Sequence, residues 1–181
     1  FILSGYLITS LLIRERDRSG RIDLRSFYLR RVLRIMPAFY LFLAAMGVLA
    51  LLGIAHATGW EFFAAGVYIW NYAPWAESHW LGHTWSLSVE EQFYLLWPLG
   101  LLLLGKRRAL AVAIAGVVLA PVIRVATYAV YPDGRDTIWQ MFPARADGIL
   151  LGCAIALTVS LAPELYERIS SRLYRLRIHW L

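Results

Sequence analysis

The sequence predicts an all-α polytopic membrane bundle of about five crossing segments plus one short re-entrant or interfacial piece, and three observations predict it. Of 181 residues, 60% are hydrophobic and 17% charged, with a mean hydropathy of +0.57, too apolar for an ordinary water-soluble domain. Residues 35–55, IMPAFYLFLAAMGVLALLGIA, carry no charge over 21 positions; at about 1.5 Å per residue that run crosses a hydrocarbon core roughly 30 Å thick. Finally, the basic residues come in blocks. No Lys or Arg lies between 35 and 105, where Glu61, Glu77, Glu90 and Glu91 do.

The chain opens on FILSGYLITSLLI, 13 residues ahead of Arg14. Ser4, Thr9 and Ser10 and the lack of a basic start do not fit a signal peptide, so this run reads as the second part of a spanning helix and the chain as a fragment. Eight arginines follow between 14 and 34, a second basic block stands at 106–108, and Arg168, Arg172, Arg175 and Arg177 form a third. The positive-inside rule puts these blocks in the cytoplasm and the glutamate-bearing stretch outside an inner (plasma) membrane. One domain, 1–181, then runs inward through 1–13, through a cytoplasmic loop 14–35, outward through about 36–56 and along an outer loop 56–88. It returns inward through about 88–104, makes a cytoplasmic turn at 105–108, goes outward through 109–131 and inward through about 145–161. Segment 62–75, FFAAGVYIWNYAPW, is short and carries Trp70, Pro74 and Trp75. It reads as non-spanning, since a crossing there would put the basic block at 106–108 outside. The tail 162–181 sets Leu165, Ile169, Leu173, Leu176 and Trp180 at helical spacing with arginines on another face, as a cytoplasmic interfacial helix would.

Several charges fit a bilayer poorly unless they have a task. Ser88-Val89-Glu90-Glu91 fits a capping box, which gives Glu91 a structural duty at a helix start. Glu90 has no such duty and shares a helix face with Tyr94 and Trp97, so it is the better catalytic candidate. Arg30, Arg31 and Arg34 crowd the end of one apolar run at spacings that make them repel; they suit water, lipid phosphates or a multiply charged ligand such as a phosphorylated cofactor. Arg124 lies on the order of 10 Å inside its helix and needs a partner, either Asp147 or Glu90. Arg145 and Asp147 in FPARADGILLG pose the same question nearer the boundary, and Gly148 and Gly152 suit close helix packing. His83, in GHTWSLS with Trp85 and Ser86, is the histidine best placed to matter, although a loop histidine is commonly just solvated. The other histidines are scattered and Cys153 is the single cysteine, so no metal site and no disulfide is expected. No glycine loop of phosphate-binding type occurs, and membrane topology accounts for the basic residues without nucleic acid.

FILSGYLIT, FYLRRVLRIMPAFYL, HTWSLSVEEQFYLLWP and RADGILLG, in this order, resemble the acyltransferase 3 family of membrane acyltransferases over nearly the whole chain. The resemblance implies a bundle of about ten helices that takes an acyl group, often acetyl, from cytoplasmic acyl-CoA to a carbohydrate or lipid-linked glycan acceptor, with no permanently bound cofactor. It places Ser4 and Gly5 at the end of an FFxxSG motif, Arg31 and Arg34 in an RxxR motif facing the CoA phosphates with Arg30 beside them, and Glu90 at or near the acceptor side. His83, Trp85, Ser86, Arg124, Arg145 and Asp147 then fall along the substrate or its pathway. The family's catalytic histidine is expected upstream of Phe1, so this segment alone is expected to bind rather than turn over.

Two rivals stand beside that reading. A transporter or flippase core would use intramembrane Arg124 and Asp147 and a helix broken at Pro121. A scaffold, in which every charge is topological, would tolerate Lys at 31 and 34.

Overall fold

The computed structural model describes residues 1–73, 78–134 and 138–164, and within them all regular structure is helical. The helices are α1 (Ile2–Ser19), α2 (Leu24–Leu51), α3 (Gly59–Gly66), α4 (His79–Gly82), α5 (Thr84–Val130) and α6 (Phe142–Leu161), with single 3-10 turns at Trp70–Tyr72 and Pro132–Gly134. Each boundary has a local cause. Gly20 stops α1 in the left-handed region at φ 74°, its N–H donating to the Arg16 carbonyl, a geometry that spares only glycine strain. Asp23 caps α2 by accepting from the Ser26 N–H and hydroxyl, bonds that hold its carboxyl below the usual aspartate range. Thr58 and Glu61 form a capping box at α3, and the second Glu61 oxygen accepts from the Ser78 N–H, so this buried carboxylate also fastens α4.

Gly105, at φ 70° and ψ 172°, breaks α5 into two limbs. Contacts fix their directions. Ser4 meets Glu90, Thr9 meets Trp97 and Asp17 meets Lys106, so α1 and the first limb run side by side in one sense. The second limb runs against α6, with Arg124 on Asp147 at one end and Lys106 on Ser160 at the other.

Three helical stretches, Leu24–Leu51, His79–Val130 and Phe142–Leu161, are long and apolar enough to cross a membrane. The expected count of about five counts the two limbs of α5 separately and adds α1, whose last turns carry Arg14, Glu15, Arg16, Asp17 and Arg18. Outward-facing Leu41, Leu51, Leu103 and Val125 are well exposed, as lipid-facing side chains are.

The connections are shorter than charge blocks suggested. Residues 14–19 and 24–35 are helical, which reduces the loop expected at 14–35 to 20–23; arginines favour helix and so do not mark loops. The outer loop expected at 56–88 contains α3 and α4 and ends at His83, and the turn expected at 105–108 is Gly105 alone. Ser88 is not an N-cap. The helix starts four residues earlier, and the Ser88 hydroxyl donates back to the Thr84 carbonyl within it. The re-entrant piece expected at 62–75 takes in the end of the eight-residue α3 and a 3-10 turn, each too short to cross, and its residues 74 and 75 lie outside the described residues. The interfacial helix expected in the tail lies outside the described residues from 165 onward.

Two cores result. The larger joins α1, α5 and α6 around Leu12, Phe93, Trp97, Ile149 and Leu157, with Phe27 from the start of α2. Its tightest seam is glycine on backbone: a Cβ on Gly5 would collide with the Ile149 carbonyl, and one on Gly152 with that of Ile2. The smaller packs the far half of α2, through Phe39 and Met46, against α3 and the Trp70 turn. So α2 is clamped at its two ends in different cores, with Pro37 between them.

Candidate functional site

Between α1 and α2 lies a groove of about 1080 Å³, at the upper end of small-molecule sites. Its α1 wall carries Ser4, Arg14, Glu15 and Arg18, its α2 wall Arg30, Arg31 and Arg34, and α5 adds Glu90 and Tyr94. Arg14 and Arg18 are one turn apart on α1, as Arg30 and Arg34 are on α2, and all four are exposed. Two such like-charged pairs lining one groove repel, and a polyanion between them would relieve that repulsion. Glu15 adds one negative charge against these four, and its Oε1 accepts from the Asp23 N–H, bracing the α1–α2 turn.

The groove also contains the chemistry of the first limb of α5. Glu90 accepts a 2.8 Å hydrogen bond from the Ser4 hydroxyl. Glu91, one residue on, faces α2 and takes Arg31 in a fork: Nη2 lies 2.8 Å from Oε1 and Nε 3.4 Å from Oε2. The same guanidinium lies 3.0 Å over the Tyr94 ring, so Arg31 is held rather than free to follow a ligand. Gln92 points the third way. It exchanges hydrogen bonds with the Asn71 amide and donates to the Tyr68 carbonyl, pinning a loop in which Tyr68 adopts φ 58°.

Glu90 has a second outlook. With Phe1, Ser86 and Leu87 it lines a separate hollow of about 310 Å³, so it stands where the arginine groove and this hollow adjoin. The Ser86 hydroxyl donates to the His83 carbonyl. His83 itself is exposed, edge-on to Phe42 at 5.3 Å, and lines neither cavity. Trp85 packs on Phe1 and on Trp139, beside Arg145. Arg124 pairs with Asp147 at 2.9 Å, not with Glu90. No group of three or more His, Cys, Asp or Glu that could hold a metal ion occurs among the described residues.

This geometry sets a string of arginines and a hydrogen-bonded carboxylate along one wall of a helical membrane bundle. A family model described as an acyltransferase domain matches residues 1–164. The chain belongs to the acyltransferase 3 family. It is 30% identical to the protein named "Putative peptidoglycan O-acetyltransferase YrhL" of Bacillus subtilis, over 96% of this chain and 30% of that protein. It is 36% identical to O-acetyltransferase OatA of Staphylococcus aureus, over 55% of this chain and 18% of that protein. The chain therefore spans less than a third of the length of either relative. No solved structure matches it.

Within this acyltransferase 3 chain, the residues singled out by sequence, His83 and Arg124 apart, divide into three groups. Arg30, Arg31, Arg34, Ser4 and Glu90 share the groove. Trp85, Arg145, Ser86 and Asp147 lie around Phe1 on the other side of Glu90. Gly5 sits in the α1–α6 seam and carries packing rather than chemistry. Sequence reasoning missed Arg14 and Arg18, whose signal was the same spacing of four that marks Arg30 and Arg34. It also missed Gln92, for which no local signal existed.

Proposed function

We propose that the protein is an O-acyltransferase of the inner membrane, with its basic blocks cytoplasmic, that moves an acyl group from cytoplasmic acyl-CoA to a carbohydrate or lipid-linked glycan of the cell envelope. Acetyl is the acyl group that the relatives' names favour. The observation that carries the proposal is a single groove containing both the arginine pairs and Glu90. From Arg18 to Ser4 the α1 wall is about 21 Å long, room for an extended donor with phosphates at one end and a thioester at the other.

In this reading Arg14, Arg18, Arg30 and Arg34 take the donor's phosphates, and Arg31, fixed by Glu91 and Tyr94, sets the wall of the channel along which the thioester arm lies. Glu90 accepts a hydrogen bond from the acceptor hydroxyl and holds it against the thioester carbon. A C–O bond forms, the C–S bond breaks, and the hydroxyl proton ends on the departing thiol. The base that relays it is the histidine that the family resemblance places upstream of Phe1. Arg124 and Asp147 satisfy each other, which favours this reading over a transporter whose pathway would need those charges free.

The test is binding of labelled acetyl-CoA to the full-length protein in detergent. Arg31→Ala with Arg34→Ala should abolish binding, while Glu90→Gln should bind normally and fail to transfer. Absence of acetyl-CoA binding by the wild type would overturn the proposal in favour of a transporter.

A further inference from the structure

The arginine groove has a neighbour of opposite character. A hollow of about 300 Å³ opens between α2, the first limb of α5 and Val67, Tyr68 and Ile69 of the loop after α3. Spacing along α2 sorts the two cavities. Arg30 and Arg34 line the groove, Val32 and Met36 line the hollow, and Arg31 and Ile35, on the ridge between them, line both. From α5 only Tyr94 lines both. The Arg31 guanidinium lies 3.0 Å over the Tyr94 ring, so the wall between the cavities is a single stacked pair with Ile35 beside it.

The chemistry changes across that wall. On the groove side stand the exposed arginines and Glu90. On the other side Val32, Met36, Val67, Ile69 and Leu95 present hydrocarbon, while the charges of Arg31 and Glu91 are engaged with each other. An alkyl chain is stabilised in the second place and not in the first. Tyr94 follows Glu90 by one turn of α5, which sets this wall next to the carboxylate at which the proposed transfer takes place.

We propose that Arg31, Ile35 and Tyr94 gauge the length of the donor's acyl chain: they close the groove against the apolar hollow and hold the protein to short acyl groups, and a breach in them admits longer ones. The gauge rests on the acyl-CoA reading of the groove. Arg31 is not the side chain to trim, because its loss strands Glu91 in a nearly buried site. Tyr94 and Ile35 are.

The experiment measures the affinity of CoA, acetyl-CoA, butyryl-CoA and hexanoyl-CoA, each competing with labelled CoA, for the full-length protein in lipid nanodiscs, with thermal unfolding on the same samples. Wild type should gain nothing from acetyl to hexanoyl. Tyr94→Val and Ile35→Ala should each bind hexanoyl-CoA more tightly than acetyl-CoA, by about fourfold for every methylene that enters the hollow. Adding Val32→Phe, which fills the hollow from an exposed position, should cancel that gain, and free CoA should bind all the variants alike. Ile35 is half-buried and belongs to neither core, so Ile35→Ala decides the matter if Tyr94→Val unfolds. Wild type that prefers hexanoyl, a breached variant that folds without gaining, or a gain that survives Val32→Phe overturns the gauge and leaves the acyl-CoA reading standing. If neither CoA nor any thioester binds wild type, that reading falls and the gauge falls with it.

Discussion

Arg31 and Glu91, 60 positions apart, form a forked ion pair with only 15% and 17% of their side chains exposed. Because the guanidinium also covers Tyr94, lysine cannot replace it: one ammonium gives neither the fork nor the flat stack. Arg31→Lys should lower stability by about 2 kcal/mol and Glu91→Gln by a similar amount, read as thermal unfolding in detergent. The double variant should lose less than the sum. Equal tolerance of Lys would favour the scaffold reading.

Arg30 and Arg34 are exposed, and neither joins an ion pair among the described residues that would hold it back from a ligand's phosphates. Arg30→Gln and Arg34→Gln should each weaken acetyl-CoA binding about tenfold while leaving the unfolding temperature unchanged. The loss should shrink in high salt, which screens exposed charge.

Glu90→Gln keeps the shape and the acceptance of the Ser4 hydrogen bond but removes the charge. Transfer should fall about a hundredfold or more with donor binding intact. Ser4→Ala takes away only the neutral hydroxyl that donates to this carboxylate, and should cost far less.

Gly5→Ala and Gly152→Ala should each destabilise the α1–α6 seam by about 2–3 kcal/mol, because the obstructing atoms are backbone carbonyls that cannot rotate away. Gly148→Ala, with only ordinary contact to Phe1, should be close to neutral.

Acid should weaken the start of α2. The carboxyl of Asp23 titrates below its usual value near 3.8 when folded, so its capping contribution is present above that value and fades as pH falls through the lowered one. The unfolding temperature of wild type should exceed that of Asp23→Asn at pH 6, and the gap should narrow as pH falls below 3.8.

What was readable in the sequence was whatever lipid imposes residue by residue. A charge-free run such as 35–55 can only be a helix there, and Arg124 inside another run demanded a partner, which proved to be Asp147, 23 positions on. Ser88 misled because a serine three residues before a glutamate can also sit inside a helix, its hydroxyl turned back on the preceding turn, as the bond to the Thr84 carbonyl shows here. Glu91 looked like a cap and Arg31 like a phosphate ligand, and their pairing across 60 positions leaves no local trace. The same holds for Trp139 and Trp85, which meet only because α6 folds back against both limbs of α5.

α2 behaves as a beam gripped at both ends. Its first turns are set in the large core and its last in the small one, while Pro37 in mid-span lacks the N–H that would tie it to the preceding turn. Tyr68 stacks on Phe39 just past that notch and stands in the loop that Gln92 pins, so the arginine-bearing half of α2 and that loop hang on one rod whose missing internal tie lies between them.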